Sequence, residues 1–275
     1  MTIRLFQVDA FTARPFAGNP AGVCILEKLR GGASDVWMQQ VAAEMNLSET
    51  AFVVAREDGF SLRWFTPKME VELCGHATLA TSHILWEERI LPPDQAAVYE
   101  TLSGRLTARR VLRESVPWIE LDLPATVPQP IDPPEGLVPA LGVDPICVSG
   151  SRFDYLVEVD SEGTVRAASP NFAALLKLGV RGVIITAPGK PPFDFVSRFF
   201  APGVGIDEDP VTGSAHCALT PYWATKLGKK NLLAFQASDR GGTLDVELAG
   251  DRVRLRGQAV TVLRGELAPS TTSAI

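Results

Sequence analysis

An octet recurs in this chain and constrains its fold more than any other feature. Phe60-Ser-Leu-Arg63-Trp64-Phe65-Thr-Pro67 returns as Phe195-Val-Ser-Arg198-Phe199-Phe200-Ala-Pro202, with Phe, Arg, Phe and Pro identical and Phe199 standing for Trp64. The copies lie 135 residues apart (198 − 63), close to half of the 275-residue chain. One octet can recur by chance, so its neighbours decide. Upstream, a helical stretch from near Asp35 runs into an apolar run, Ala51 to Val54, and one from near Pro170 runs into Val183 to Thr186. Downstream, Cys74-Gly75-His76-Ala77-Thr78 and Thr212-Gly213-Ser214-Ala215-His216 each open an apolar helix. Helix, strand, F-x-x-R strand, loop and Gly-small helix thus follow one another twice. Self-similarity at a fixed offset marks a copied structural unit, and the chain reads as two homologous halves related by a pseudo-twofold.

Strand signals outnumber helix signals. Short β-branched or aromatic runs bounded by Gly and Pro occur at 3–10, 21–26, 52–55, 61–65, 105–111 and 118–123, and again at 155–159, 183–186, 195–200, 232–237, 243–248, 252–258 and 259–267. Many strands around few helices indicate an α+β chain. Each half is expected to be a curved, largely antiparallel sheet wrapped around a central helix. The halves are read as 1–123 and 124–275, with the last strand able to return to the first. The proline-rich stretch 124–137 (PATVPQPIDPPEGL) reads as the linker.

The formal charge of −6 argues against a nucleic-acid partner, since basic residues cluster no further than pairs such as Arg109-Arg110 and Lys229-Lys230. No apolar run reaches the ~18–20 residues of a transmembrane helix. The opening MTIRLFQVDAF carries Arg4 and Asp9 and does not resemble a secretory signal. A cytoplasmic protein without a membrane partner is expected. Its four cysteines, Cys24, Cys74, Cys147 and Cys217, form no CxxC and read as free thiols. There is no GxxxxGK[ST], and Gly203-Val-Gly205 lacks the rest of a dinucleotide fingerprint. No G-x-S-x-G elbow occurs. No nucleotide, flavin, pyridoxal group or other cofactor is called for, and no metal.

The chemistry-bearing residues collect at the two Gly-small turns. The free N–H groups of a first helical turn attract anions. If the halves close about a twofold, the turns at Gly75-His76 and Gly213-Ser214 face one interdomain cleft and hold a carboxylate there. Two of the chain's 3 histidines, His76 and His216, stand at these turns, where imidazole suits proton transfer. Glu49, in Asn46-Leu47-Ser48-Glu49-Thr50, follows a helix and precedes an apolar strand. A carboxylate between Leu47 and Phe52 is partly desolvated and suited to acid/base work. The matching place in the second half is Arg181 or Gly182, so the shared fold does not demand Glu49. Of Asp207, Glu208 and Asp209, the last is nearest the Gly-Ser turn and is expected to point inward. Cys74 and Cys217 adjoin the two turns, but neither Cys-x-His nor His-Cys is a usual zinc spacing.

Jointly these residues resemble the PhzF family, named for an enzyme of phenazine biosynthesis. The resemblance spans nearly the whole chain: Phe6-Gln-Val-Asp-Ala-Phe11, Phe16-Ala-Gly-Asn19-Pro-Ala-Gly-Val23, Asn46-Leu-Ser-Glu49-Thr50, Phe65-Thr-Pro67, Glu72-Leu-Cys-Gly-His76-Ala-Thr78, Ser197-Arg-Phe-Phe-Ala-Pro202, Asp209-Pro-Val-Thr-Gly-Ser214-Ala-His216 and Gly257-Gln-Ala259. It implies a diaminopimelate epimerase-like fold of two pseudo-symmetric domains, with the active site between them, and a homodimer. It also implies Glu49 as acid/base, His76 and Asp209 assisting as catalytic groups, and a substrate held by Asn19, Ser48, Gly75, Gly213 and Ser214. The related epimerases use two cysteines. Here the second loop carries Asp209-Pro210 instead, so two-thiol chemistry is not implied.

The expected function is therefore that of a cofactor-independent isomerase moving a proton within a small carboxylate. Two alternatives remain at this point. One is a small-carboxylate binding protein without turnover, and the other is a metal-dependent hydrolase using His76, His216 and Asp209.

Overall fold

Arg63 and Arg198, the centres of the repeated octet, make the same interaction in a computed structural model that describes residues 3–26 and 33–268. Arg63 donates through Nε and Nη2 to the two carboxylate oxygens of Glu70, both at 2.7 Å. Arg198 grips Glu208 in the same way at 2.7 and 2.8 Å. Each guanidinium also lies over a phenylalanine two residues on, 5.2 Å from Phe65 and 4.9 Å from Phe200. A planar five-donor fork suits this double role better than an ammonium.

Around these pairs the chain divides into two compact units, residues 1–122 with 256–275, and residues 123–255. The first contains β1 (Ile3–Ala10), β2 (Asn19–Leu26), α1 (Asp35–Met45), β3 (Glu49–Arg56), β4 (Gly59–Phe65), β5 (Glu70–Val71), α2 (Gly75–Glu87), β6 (Ala97–Thr101), β7 (Gly104–Arg113) and β8 (Val116–Pro124), whose end meets the boundary. The second contains β9 (Gln129–Pro130), α3 (Leu137–Leu141), β10 (Cys147–Gly150), β11 (Asp154–Glu158), α4 (Glu162–Ala167), α5 (Phe172–Leu176), β12 (Gly182–Pro188), β13 (Phe195–Ala201), β14 (Ile206–Asp209), α6 (Gly213–Leu227), β15 (Asn231–Gln236), β16 (Gly242–Ala249) and β17 (Arg252–Gly257). The last strand, β18 (Ala259–Leu267), pairs antiparallel with β1.

The two units repeat one pairing order. In the first, β1–β2 is antiparallel, β2–β3 parallel, β3–β4 and β4–β5 antiparallel, β4–β6 parallel and β6–β7 antiparallel. In the second, β10–β11, β11–β12, β12–β13, β13–β14, β13–β15 and β15–β16 have the same senses in turn. Register fixes the equivalences. Thr50 opposes Phe65 as Val183 opposes Phe200, so Glu49 corresponds to Gly182 and Trp64 to Phe199. This is the α+β, epimerase-like architecture.

The central helices are recognisable by what surrounds them. Ten residues of α2 are buried, from His76 to Trp86, and ten of α6, from Gly213 to Ala224. A helix apolar on every side must lie in a core, and α2 packs on β1, β2, β3 and β18. The stretch read as a linker is instead fastened into the second unit. Gln129 and Pro130 pair with Gly150 and Ser149, Thr126 N–H donates to the Cys217 carbonyl, and Leu137 is fully buried. Proline-rich composition signalled irregular backbone there, not freedom. Helix α4 precedes the expected helical segment near Pro170, which forms only the five-residue α5.

Arg198 serves more than Glu208. Its Nη1 also donates to the carbonyls of Val165, Arg166 and Ala168 at the end of α4. Its side chain is 12% exposed against 29% for Arg63. Removing it strands Glu208 and the carbonyls together. Arg198→Ala is expected to cost about 3 kcal/mol and Arg63→Ala about 1–2 kcal/mol. Urea denaturation checks this order, and equal costs would contradict it.

Candidate active site

In the first unit the site is assembled where two parallel strands and a helix begin. Asn19 starts β2, Glu49 starts β3, and Cys74 and His76 flank the first residue of α2. The parallel register sets Ala21 opposite Glu49, so the strand starts lie side by side. His76 Nε2 lies 3.1 Å from Glu49 Oε2. Neither atom is exposed, and neither has an aligned hydrogen bond among the described residues. On the other edge of the ring, Asn19 Nδ2 is 3.2 Å and Cys74 Sγ 3.5 Å from Nδ1. His76, Cys74 and Asn19 are buried, and the Glu49 side chain retains 13% exposure.

Burial dominates the thiols. It pushes Cys74 up to about 11, with Glu49 adding to the effect, and Cys217 up to about 12. Both therefore hold their protons at neutral pH. For His76, burial disfavours a charged ring, but negative charge at Cys74 and Glu49 opposes burial and prevails, so its pKa lies well above the ordinary histidine value. Since Cys74 stays protonated, Glu49 is the partner that exerts this effect near neutrality.

The helix start is itself open. Cys74 is the N-cap of α2 and makes no side-chain cap, whereas α1, α4 and α5 are capped by Ser34, Ser161 and Asn171. The second unit arrives at the same result by another route. Thr212, a good capping residue type, is the N-cap of α6, yet its hydroxyl donates to Asp209 Oδ2 at 2.6 Å and leaves the helix uncapped. Gln236 completes this small network, accepting from Thr212 N–H and donating to the Asp209 carbonyl, both at 2.8 Å. Asp209 is buried, as expected. Gly213 and the half-buried Ser214 form the first turn of α6, and Gly75 the first residue of α2. Ser48 is half-buried in the bend before β3. Nothing in the sequence singled out Gln236, since its part depends on β15 lying beside β13.

The two histidines at the turns are not equivalents. Aligning Gly75 with Gly213 sets His76 against Ser214 and Thr78 against His216. Thr78 Oγ1 donates back to the Cys74 carbonyl at 2.5 Å, and His216 Nδ1–H donates back to the Thr212 carbonyl at 2.8 Å. His216 is therefore a core residue in a threonine's place, wholly buried, its pKa pushed down to about 4 by that burial. The third histidine, His83, contacts Thr261 at 3.1 Å and stands away from this chemistry on α2.

Among the described residues, one set of three metal-capable side chains converges, Glu49, Cys74 and His76, with donor atoms within 4.8 Å of one another. It is not the set that the hydrolase alternative required.

The second unit cannot carry a carboxylate where Glu49 stands. A Cβ on Gly182 would come within 2.4 Å of the Phe199 ring. Packing thus leaves only the first unit able to place a carboxylate at this position.

A fold of two epimerase-like units, one of which carries a buried carboxylate–imidazole pair at an open helix start, defines a class of isomerase. Comparison with known proteins gives the family. The family model for phenazine biosynthesis-like proteins matches residues 8–265. An uncharacterized isomerase of Halalkalibacterium halodurans is 52% identical, with 97% of this chain and 99% of the relative covered. A human phenazine biosynthesis-like domain-containing protein is 44% identical at the same coverage. The crystal structure of a PhzF family protein of Enterococcus faecalis superposes with a TM-score of 0.91 at 40% identity, covering 98% of this chain and 100% of that one. A probable proline racemase of Agrobacterium radiobacter shares the fold, with a TM-score of 0.63 at 14% identity over 99% of this chain and 94% of that one. This chain belongs to the PhzF family of isomerases. No helix among the described residues is long and apolar enough to cross a membrane.

His216 gives a pH prediction. The unfolded chain protonates it near pH 6.5 and the native state only near pH 4. The unfolded state therefore binds the proton first as pH falls. The resulting stability is complete above about pH 6.5 and is lost by about pH 4, a span of roughly 3 kcal/mol. His216→Thr, which copies the Thr78 arrangement, is expected to lose this slope. Urea midpoints at pH 7 and pH 5 check it, and an unchanged pH dependence would contradict the assignment.

Proposed function

We propose that the protein moves a proton within a small carboxylate substrate without a cofactor, and that Glu49 is its general acid/base. The observation that carries this reading is the buried Glu49–His76 pair, whose facing oxygen and nitrogen lie 3.1 Å apart without an aligned hydrogen bond. Such a pair can take up and return one proton, and in ligand-free sites these contacts are commonly misaligned until substrate arrives.

In the proposed reaction the Glu49 carboxylate removes a proton from carbon beside an activating group, and the electron pair moves into that group. The amide N–H groups of Gly75 and His76, unclaimed by a cap, stabilise the negative charge that develops. Glu49 then returns the proton to another carbon, with the His76 Nε2 proton adjusting the carboxylate's charge. Atoms and electrons balance without an outside oxidant or reductant. The second unit has an uncapped helix start of its own at Gly213 and Ser214. A carboxylate base suits this site better than a thiol, because Cys74 remains protonated.

Glu49→Gln preserves shape and removes the titrating oxygen. Exchange of substrate hydrogen with deuterium oxide, read by mass spectrometry, is expected to fall by roughly 10²–10⁴-fold, while ligand binding by calorimetry persists. Undiminished exchange in the variant would overturn the role of Glu49. Ligand binding by the wild type with no exchange at all would favour the binding-protein reading instead.

A further inference from the structure

Asn19 appears in the sequence as a substrate-binding residue, but the structure turns its side chain onto His76. The amide is fully buried, with Nδ2 3.2 Å from the ring's Nδ1. An amide NH₂ has hydrogens only to give, so Nδ1 must be the acceptor in this contact. The second neighbour of Nδ1 points the same way. Cys74 Sγ lies 3.5 Å from it, and a buried thiol that keeps its hydrogen is also a donor. In the neutral ring, two donors aimed at one nitrogen leave it without a proton of its own. The remaining imidazole proton then belongs on Nε2, the nitrogen that faces Glu49.

We infer that Asn19 is a positioning residue that keeps Nδ1 of the neutral His76 ring unprotonated and thereby places the imidazole proton on Nε2, toward Glu49. With the proton on Nε2, Glu49 is met by a donor and stands ionised, ready to accept a proton. With the proton on Nδ1, a lone pair would face the carboxylate, and the pair could persist only with Glu49 protonated. The ring's tautomer therefore selects which half of the proton transfer the site can begin.

The backbone holds Asn19 to this task. Gly18 precedes it at φ +64°, a conformation that favours glycine, and a Cβ there would lie 2.1 Å from the Ala10 carbonyl oxygen. Asn19 itself pairs with Ala10 across β1 and β2. The turn between these strands thus ends by delivering the amide to the imidazole. Glu49 pulls protons onto the ring, and Asn19 and Cys74, from β2 and the N-cap of α2, oppose a proton at Nδ1.

The consequence for catalysis rests on the proton-transfer reading, but the proton's position does not, and it can be read without turnover. The chain has 3 histidines, so nitrogen-15 labelling of the rings gives three resolvable systems, assigned with His83→Gln and His216→Thr. In the whole wild-type protein, at a pH high enough for the ring to be neutral, His76 is expected to show a pyridine-type Nδ1 and a protonated Nε2. His216, which donates from Nδ1, should show the opposite tautomer and serves as the internal control. Asn19→Asp replaces the donor by an acceptor and is expected to put a proton on Nδ1 of His76 alone. A neutral His76 ring in the wild type that carries its proton on Nδ1 would overturn the inference without needing any variant to fold. An unchanged His76 spectrum in a folded Asn19→Asp would overturn it equally. If the spectra follow expectation while deuterium exchange is insensitive to Asn19→Asp, the tautomer assignment stands and the reading of Glu49 as the base fails.

Discussion

The parallel pairing of β2 with β3 is the constraint on which the candidate site rests. In register, Ala21 meets Glu49, and both strands begin at the level where α2 starts. A parallel pair needs a crossover, here made by α1 between the strands, and the crossover returns the chain to the same end of the sheet. Strand starts and an uncapped helix start are thereby gathered at one place. Asn19, Glu49, Cys74 and His76 come from four sequence positions spread over 58 residues, 19 to 76. One slip of register would turn Glu49 to the opposite face and bring Thr50, which now packs against Gly22, in its place.

The duplicated scaffold explains which parts of each unit are free to differ. The bidentate Arg–Glu pairs and the six pairings are common to both units because they hold the sheet in shape. The helix starts are common as well, although Cys74 leaves α2 uncapped by lacking a strong acceptor and Thr212 leaves α6 uncapped by giving its hydroxyl to Asp209. What differs lies at the first residue of the third strand. There Glu49 has room, and Gly182 has the Phe199 ring against it. The Phe199 ring, inside the repeated octet, is therefore what keeps a carboxylate out of the second unit at this position.

Much of this was legible in the sequence because it is local. The octet, the Gly-small helix starts and the strand alternation are short-range patterns, and Glu49 stood out by lacking an acidic counterpart. Other features needed three dimensions. Gln236 reaches Asp209 only through the β13–β15 pairing, and Glu70 and Glu208 were two acids among many until the sheet set each beside its arginine. His216 was misread because residue type was matched without register. Two positions further along the helix, the same imidazole fills a threonine's place and makes a threonine's bond. The linker was misread because proline content reports missing N–H donors, whereas Gln129, Thr126 and Ala125 show that the remaining backbone groups of the segment are paired.

The balance of burial and charge sets the carboxylate–imidazole pair of the first unit apart from the buried thiol of each unit. Burial disfavours charge on every ionisable group. Cys74 and Cys217 gain no comparable compensation, so their protons stay on. At His76 the charge of Glu49 outweighs burial and raises the ring's pKa, whereas ionising a lone thiol carries the full desolvation cost. On the proposed reading, an imidazole proton that faces Glu49 keeps the carboxylate ready to accept another, and the donor side of Asn19 acts on the chemistry by placing that proton.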